Sequence, residues 1–492
     1  MVRKPRDRKS WSEYEIVSRL RSRERFVKEV RGFGDVKVAI IYPNSYKVGS
    51  ASLSTHVLMT KFNELGSVRA ERFFFHKSFS KHYSFDSLTP LDEFVIWSFS
   101  VHFELDLLNV FEILNKFSIP LRKEKRNRFH PLILIGGALT YFNDSLVSEI
   151  ADVVYRGDLG EKFLEQLSAI DHRMSKEEMV STLETEHQET IFSNCLGESA
   201  FISPDSVFGD RYLIEIGRGC FRKCKFCVAG FKFGRPRFRE LKDTIDLMDS
   251  VAGFTKRFGL IAATVTDYPG IDEIAEHCIE KGYELSVSSL RLDSLSDTLM
   301  RSLKLSGQSS FTIAPEGGSQ KIRNAFAKGI SEEDITEALE LGRNNDFRRV
   351  KMYYIYGAVF ETHDDRTEIS KTVHQALKMG YSSVVLSLNP LIPKPGTPFE
   401  HMPMESVGVL RKLEREIRSE LMMEGVKLDF ESLRESRLQF ALASIDREKG
   451  RELLELVERG IDPTPILNKY AEDVNSKRKE WKEHGKEEYS GR

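Results

Sequence analysis

Three cysteines, Cys220, Cys224 and Cys227, fall within eight positions in the segment GRGCFRKCKFCVAG, while the other two of the five, Cys195 and Cys278, stand alone. Thiols so unevenly placed do not make a disulfide framework. Spacings of four and three on one loop describe a single concave metal site instead. Iron–sulfur clusters are usually held by four protein thiolates, so three would leave one iron without a protein ligand and open to substrate or cofactor. A three-cysteine zinc site completed by histidine is the competing reading, but no histidine lies in the loop or its immediate flanks. Three merely buried, apolar cysteines are a third.

A strand must carry this loop. RYLIEIGRGC runs an apolar strand directly into the first cysteine, and strand carboxyl ends are where barrel-like enzymes keep their chemistry. Past the cluster, GLIAATVTD (259–267), YELSVSSLRLD (283–293), SSFTIAPEGG (309–318), RVKMYYIYG (349–357) and SSVVLSLNPL (382–391) repeat the pattern, most of them separated by helical stretches. Six strand–helix units from 211 to 400 predict an open, partial (β/α)6 barrel. Upstream, VKVAIIYPN (36–44), EFVIWSFSV (93–101), PLILIGGAL (131–139) and ADVVYRGD (151–158) alternate with helical patterns such as STHVLMTKFNEL, which predicts a parallel, doubly wound sheet. The expected fold class is therefore α/β. A basic N-terminal helix over 1–34, with Ile16, Leu20, Val27 and Val30 at near-helical spacing, precedes a Rossmann or flavodoxin-like domain over 35–165. A polar linker over 166–208, the partial barrel over 209–400 and a charged helical C-terminal region over 401–492 complete the chain.

The cysteine spacing, with aromatic Phe226 just before the last thiol, resembles the signature loop of the radical S-adenosylmethionine (SAM) superfamily. SVSSLRLDS (286–294), APEGGSQKIRNAFAKGI (314–330) and NPLIPKPGTPFE (389–400) extend the likeness to roughly residues 35–460. They resemble barrel segments of radical SAM proteins related to methylthiotransferases and cobalamin-domain enzymes, especially a subfamily with a cobalamin-binding-like N-terminal domain. The resemblance implies a 4Fe–4S cluster on Cys220, Cys224 and Cys227 whose open iron chelates the amino and carboxylate groups of SAM. An electron passed through the cluster would then break the sulfonium carbon–sulfur bond to give a 5′-deoxyadenosyl radical, the hard chemistry belonging to the cofactors. It also implies that Phe226, Ser288, Arg291 and Glu316 face the cofactor, an arginine suiting a carboxylate and Ser and Glu suiting hydroxyl and amino groups. Glu316 has a plainer reading as the opening of a turn and helix. The family's glycine-glycine-glutamate segment is replaced by TVTDYPG, which puts Thr266 or Asp267 at the SAM amine.

IYPNSYKVGSASLSTHVL, GGALTYFND and VVYRGDLGE resemble the cobalamin-binding domain of radical SAM methyltransferases, with Gly136 and Gly137 allowing close backbone approach to a bulky ligand. The aspartate-x-histidine-x-x-glycine motif that supplies a cobalt ligand in some cobalamin proteins is missing. Packing or substrate recognition is thus the favoured role of this domain, and cobalamin binding the alternative. The first 194 residues contain no cysteine, which disfavours an auxiliary cluster and sulfur insertion. After the cluster loop, Phe231, Phe233 and Phe238 interleave with Lys232, Arg235, Arg237 and Arg239, a pattern that suits stacking on bases and contact with phosphates. The alternative is core phenylalanines and locally paired arginines. His56, His102 and His363 are dispersed and read as structural.

With 73 Lys+Arg against 75 Asp+Glu there is no global electrostatic footprint of nucleic acid or membrane. No apolar run approaches the ~20 residues of a membrane-spanning helix, and the basic start MVRKPRDRKSW leads into no apolar stretch. The expectation is a cytoplasmic radical SAM enzyme, supplied by a reductant such as flavodoxin or ferredoxin, acting on RNA or a ribosomal component. Its rivals are a cobalamin-dependent methyltransferase of a small molecule and a non-catalytic iron–sulfur or zinc interaction protein.

Overall fold

The apolar run VKVAIIY becomes the centre of a five-stranded parallel sheet, buried along almost its whole length. The strands are β1 (Val36–Tyr42), β2 (Val68–Phe74), β3 (Ile96–Ser100), β4 (Leu132–Gly136) and β5 (Val153–Val154). They lie in the order β2-β1-β3-β4-β5, with Val38 opposite Ala70 on one side and Ile96 on the other. This is the doubly wound, flavodoxin-like order, whose topological switch point falls between β1 and β3. Helix Leu53–Asn63 sets Met59 and Phe62 into one core with Val38 and Ile40. Helix Asp106–Lys116 buries Val110, Phe111 and Leu114.

The computed structural model describes residues 8–183, 191–288 and 290–478. The first seven residues of the basic arm, most of the linker segment ETEHQETIF, Ser289 and the last residues from 479 lie outside the described residues. The chain forms two compact units, one of residues 1–215 with 445–463, the other of 216–444 with 464–492. The leading helix spans Arg8–Ser22 and buries Val17 against Tyr42, Tyr46 and Phe74. It is shorter than the spacing predicts, because Arg25–Phe26 leave it to pair antiparallel with Phe201–Ile202. His56 is fully buried, bonded to the Ser50 carbonyl and the Ala200 amide, and burial lowers it to about 4, so it serves as neutral structural glue.

Strand β2 has no counterpart in the sequence reading, since VRAERFF carries Arg69, Glu71 and Arg72 where a buried strand should be apolar. The charges are paid for locally. Arg72 is wholly buried, donating from Nη1 and Nη2 to the Glu24 carboxylate at 3.0 and 2.9 Å and from Nη2 to Asp86 at 2.7 Å. Its guanidinium lies 4.2 Å from the Phe201 ring centroid, and the Tyr46 hydroxyl donates to Glu24 at 2.9 Å.

In the second unit the parallel strands come in two groups. Strand β6 (Tyr212–Glu215) closes the first unit's main segment, and immediately beyond it the Ile216 amide donates to the Ile261 carbonyl at 3.0 Å. β7 (Arg257–Ile261) pairs with β8 (Glu284–Val287). β9 (Ser310–Glu316), β10 (Arg349–Tyr356), β11 (Ser383–Pro390) and β12 (Val426–Phe430) follow as a four-stranded parallel sheet. Helices Glu332–Asn344 and His363–Lys378 return the chain between strands, each opened by a capping box, at Ser331 and Thr362. Along β10 residues alternate between buried and half-exposed, as barrel strands do. This is the open β/α arrangement expected. The C-terminal region is helical as expected and also contributes β12, whose VKLDF alternates charged and apolar residues between amphipathic helices. Among the described residues no helix is long and apolar enough to cross a membrane.

Arg72→Met leaves the buried Glu24 carboxylate, and the partly exposed Asp86, without their cation, so the N-terminal unit should lose about 3–5 kcal/mol. Denaturant unfolding of the variant beside the wild type measures this, and an unchanged midpoint would show that the network adds nothing.

Candidate metal centre

Past β6, Gly217–Arg218 pair antiparallel with Arg237–Phe238. This two-residue ladder closes the base of the loop that carries the three thiols. Gly219 turns the chain between Arg218 and Cys220 with φ +86°, and a Cβ there would stand 2.8 Å from the Arg235 carbonyl oxygen, so only glycine permits the turn. The loop is fixed to the barrel by the Lys225 amide, which donates to the Phe326 carbonyl at 2.9 Å. Phe226, expected at the cofactor, packs edge-on against Phe326 at 5.4 Å, in a cluster with Ile322, Phe360, Phe399 and Met402.

All three cysteines are free; Cys224 is buried and the other two are half-buried. Burial pushes the Cys224 thiol up, opposed by the nearby Lys328 and Arg291 cations. Burial likewise raises Cys227, opposed by the Ala229 amide. Among the described residues no three cysteine, histidine or acidic side chains stand together as ligands of a single ion. Three free thiols on one closed loop, with two cations to offset negative charge, fit a 4Fe–4S cluster, in which each thiolate takes a different iron.

Glu316 ends β9 in a left-handed conformation, φ +68°, after a register irregularity between Ile313 and Glu316. Such strain in a non-glycine residue persists only where its surroundings impose it. Arg323 does so: it is wholly buried and donates to the carbonyls of Gly317, Gly318 and Ile330 at 3.2, 2.9 and 3.0 Å, with Glu332 as its counter-ion. Burial raises the Glu316 carboxyl, and Lys328, 3.2 Å away, opposes the rise. Lys328 and Arg323 were not singled out from sequence, though both lie in the segment that resembles the family.

The remaining expected contacts are engaged within the protein. Arg291 donates through Nη2 to the carbonyls of Lys328 at 2.6 Å and Gly329 at 3.2 Å, and its Nε lies 2.7 Å from Asp293. Asp267, expected at the SAM amine, accepts from Arg222 of the cysteine loop, from Nε at 3.2 Å and Nη2 at 2.8 Å. Thr266 accepts from the Arg291 amide at 3.0 Å. Ser288 is exposed, its hydroxyl 3.4 Å from the Ala262 carbonyl.

In the basic segment, Phe238 packs edge-on against Tyr268 at 5.8 Å, Lys223 covers the Phe231 ring at 5.0 Å, and Arg237 donates to the Phe233 and Arg235 carbonyls. In the first unit, the switch point between β1 and β3 gathers polar groups. His102 Nε2 lies 2.9 Å from the Ser54 hydroxyl and 3.0 Å from that of Ser100, and its ring stacks on Tyr42 at 5.5 Å. Asn44 donates to Asp106 at 2.8 Å, and burial pushes Asp106 up to about 6. Gly137, after β4, is required by the protein's own packing. Its φ is +103° and a Cβ would stand 2.4 Å from the Val101 carbonyl oxygen, so the glycine serves loop packing.

Residues 54–191 match the family model for the N-terminal region of radical SAM proteins, and residues 214–373 match that of the radical SAM superfamily. An uncharacterised protein of Methanocaldococcus jannaschii is 30% identical over 446 residues, covering 89% of this chain and 94% of that protein. The fold is similar to that of a radical SAM methyltransferase, TsrM, from Kitasatospora setae, with a TM-score of 0.50, 14% identity and 74% of each chain covered. It is also similar to OxsB, a cobalamin-dependent SAM radical enzyme, with a TM-score of 0.53, 14% identity, and 88% of this chain and 74% of that chain covered. The chain belongs to the radical SAM superfamily. It is accordingly an enzyme of the class that uses a 4Fe–4S cluster and SAM.

Lys328→Met removes the cation facing buried Glu316 and should cost the metal-free protein about 1–3 kcal/mol. Denaturant unfolding of the two proteins measures it, and the companion Glu316→Gln should restore most of the loss if the unpaired carboxylate is its cause.

Proposed function

We propose that Cys220, Cys224 and Cys227 hold the cluster of this enzyme, and that Glu316 and Lys328 receive the amino-acid end of SAM for a radical modification of an unreactive carbon. The observation that carries the reading is the convergence of three free thiols, two cations and a strained carboxylate at the carboxyl ends of barrel strands. When bound, the cluster and SAM supply one-electron cleavage of the SAM sulfonium bond. The chain's own groups bind and orient. Glu316 presents a carboxylate to an ammonium group and Lys328 an ammonium to a carboxylate, matching the zwitterion of an amino acid. Ser288 offers an exposed hydroxyl close by in sequence to Arg291, which keeps positive charge against Cys224 while bonded to carbonyls and Asp293. The aromatic cluster around Phe226 and Phe326 backs the loop and excludes water from that side. A low-potential donor of the flavodoxin or ferredoxin type would deliver the electron.

RNA or a ribosomal component draws no support from the segment 231–239, whose Phe238 and Phe231 rings are used by Tyr268 and Lys223. The second reading, a cobalamin-dependent methyl transfer to a small molecule, is favoured by the cluster of Tyr42, Asn44, Ser54, Ser100 and His102 at the switch point, where doubly wound sheets bind ligands. The fold likeness to TsrM and OxsB agrees with it.

Anaerobic reconstitution with iron and sulfide, followed by reduction in the presence of SAM, should yield 5′-deoxyadenosine from the wild type and none from Cys224→Ala. A reducible cluster that never cleaves SAM, with or without added cobalamin, would favour an interaction protein. Cobalamin retained through purification, and lost in His102→Ala, would favour the second reading.

A further inference from the structure

Arg222 stands between the first two cysteines of the loop, yet its side chain belongs to the strand ends beneath. Nε and Nη2 bind the Asp267 carboxylate at 3.2 and 2.8 Å, and Nη1 lies 3.6 Å from Asp293. The Asp267 side chain is only 6% exposed, so its carboxylate is largely removed from water, with Arg222 as its counter-ion. The two aspartates occupy short turns that follow β7 and β8, Val265–Asp267 and Leu292–Ser294. Those turns are laced to each other: Thr266 Oγ1 accepts from the Arg291 amide and from the Ser294 hydroxyl, both at 3.0 Å, and Asp293 also takes Arg291. Arg222 thus plugs into a carboxylate socket that is already rigid. The fork geometry matters, because a guanidinium meeting a carboxylate through two nitrogens fixes orientation as well as distance.

We propose that Arg222 is a positioning residue for the metal centre: its ion pair with Asp267, supported by Asp293, locks the cysteine loop to the ends of β7 and β8 so that the thiols are arranged before iron arrives. The inference rests on the reading of Cys220, Cys224 and Cys227 as cluster ligands. It gives Asp267 a role beneath the cluster loop in place of the direct cofactor contact expected from sequence. Groups that orient the ligands of a metal typically change its retention by 10–100-fold when removed.

The test compares wild type, Arg222→Ala, Asp267→Asn, Arg222→Lys and the Arg222→Ala/Asp267→Asn double variant after anaerobic reconstitution. The readouts are the rate of iron loss to a chelator and the electron paramagnetic resonance spectrum of the reduced cluster, before and after SAM is added. Each single variant should lose iron about tenfold faster or more. The double variant should match the worse single, because both changes remove one interaction. Lysine at 222 should not rescue, since an ammonium cannot take both carboxylate oxygens. The spectral change on adding SAM should persist in whatever cluster remains. Asp267→Asn, which keeps the side chain's shape, carries the test should Arg222→Ala fail to fold. Additive losses in the double variant would overturn the proposal. So would wild-type iron retention in Asp267→Asn with the SAM-induced spectral change abolished, which would return Asp267 to the cofactor. A wild type that takes up no cluster overturns the cysteine reading itself and is distinct from both.

Discussion

A loop that carries three thiols within eight residues cannot hold its shape by itself, because short polar segments rich in glycine, lysine and arginine bury too little surface to order themselves. Everything else at this site follows from that constraint. The Gly217–Phe238 ladder closes the loop at its base, the Lys225 amide ties it to Phe326, and the Phe226 ring sinks into an aromatic cluster. Arg222 fastens the remaining side to Asp267. One covalent spacing is thereby supported by a backbone ladder, an apolar anchor and an ion pair, each from a different part of the barrel.

Buried arginine recurs as the device that makes such arrangements permanent. Arg72 in the first unit and Arg323 in the second are both wholly inaccessible to solvent, and both satisfy nearly every nitrogen with carboxylates or carbonyls. A buried charge is costly unless paired, so its partners are confined to a narrow set of positions. Arg323 confines the Gly317–Gly318 turn, and with it the left-handed Glu316. Arg72 confines the edge strand β2 against Glu24 and Asp86. Specific geometry is the gain, and removing either arginine would leave its buried partners unpaired.

Much of this was legible in the amino-acid order. VKVAIIY, LILIG and VVLSL are predominantly apolar runs, and their near-regular alternation with helical stretches is enough to read parallel sheets in both halves. VRAERFF and VKLDF were not legible as strands, since their charges read as solvated. In β2 the arginine is neutralised by Glu24, 48 positions earlier, a pairing that no local pattern contains. The cysteine spacing was readable for the opposite reason: metal chemistry restricts residue type and separation within a few positions. The partners of Asp267 and Glu316 were not. Arg222 lies 45 residues before the one and Lys328 12 residues after the other, separations that no local pattern covers.

The amino-acid order therefore settles the class of the protein, the α/β character of both halves and the three thiols, because these depend on covalent spacing and on periodic burial. Tertiary packing decides which charged groups pair with one another at the strand ends. The reason is physical. Hydrophobic periodicity acts over a few residues, whereas an ion pair forms between whatever side chains the folded strands bring together. Asp267 turned toward Arg222, Phe226 toward the core and Gly137 against Val101 are outcomes of that juxtaposition, fixed only once parallel strands far apart in sequence end at the same place.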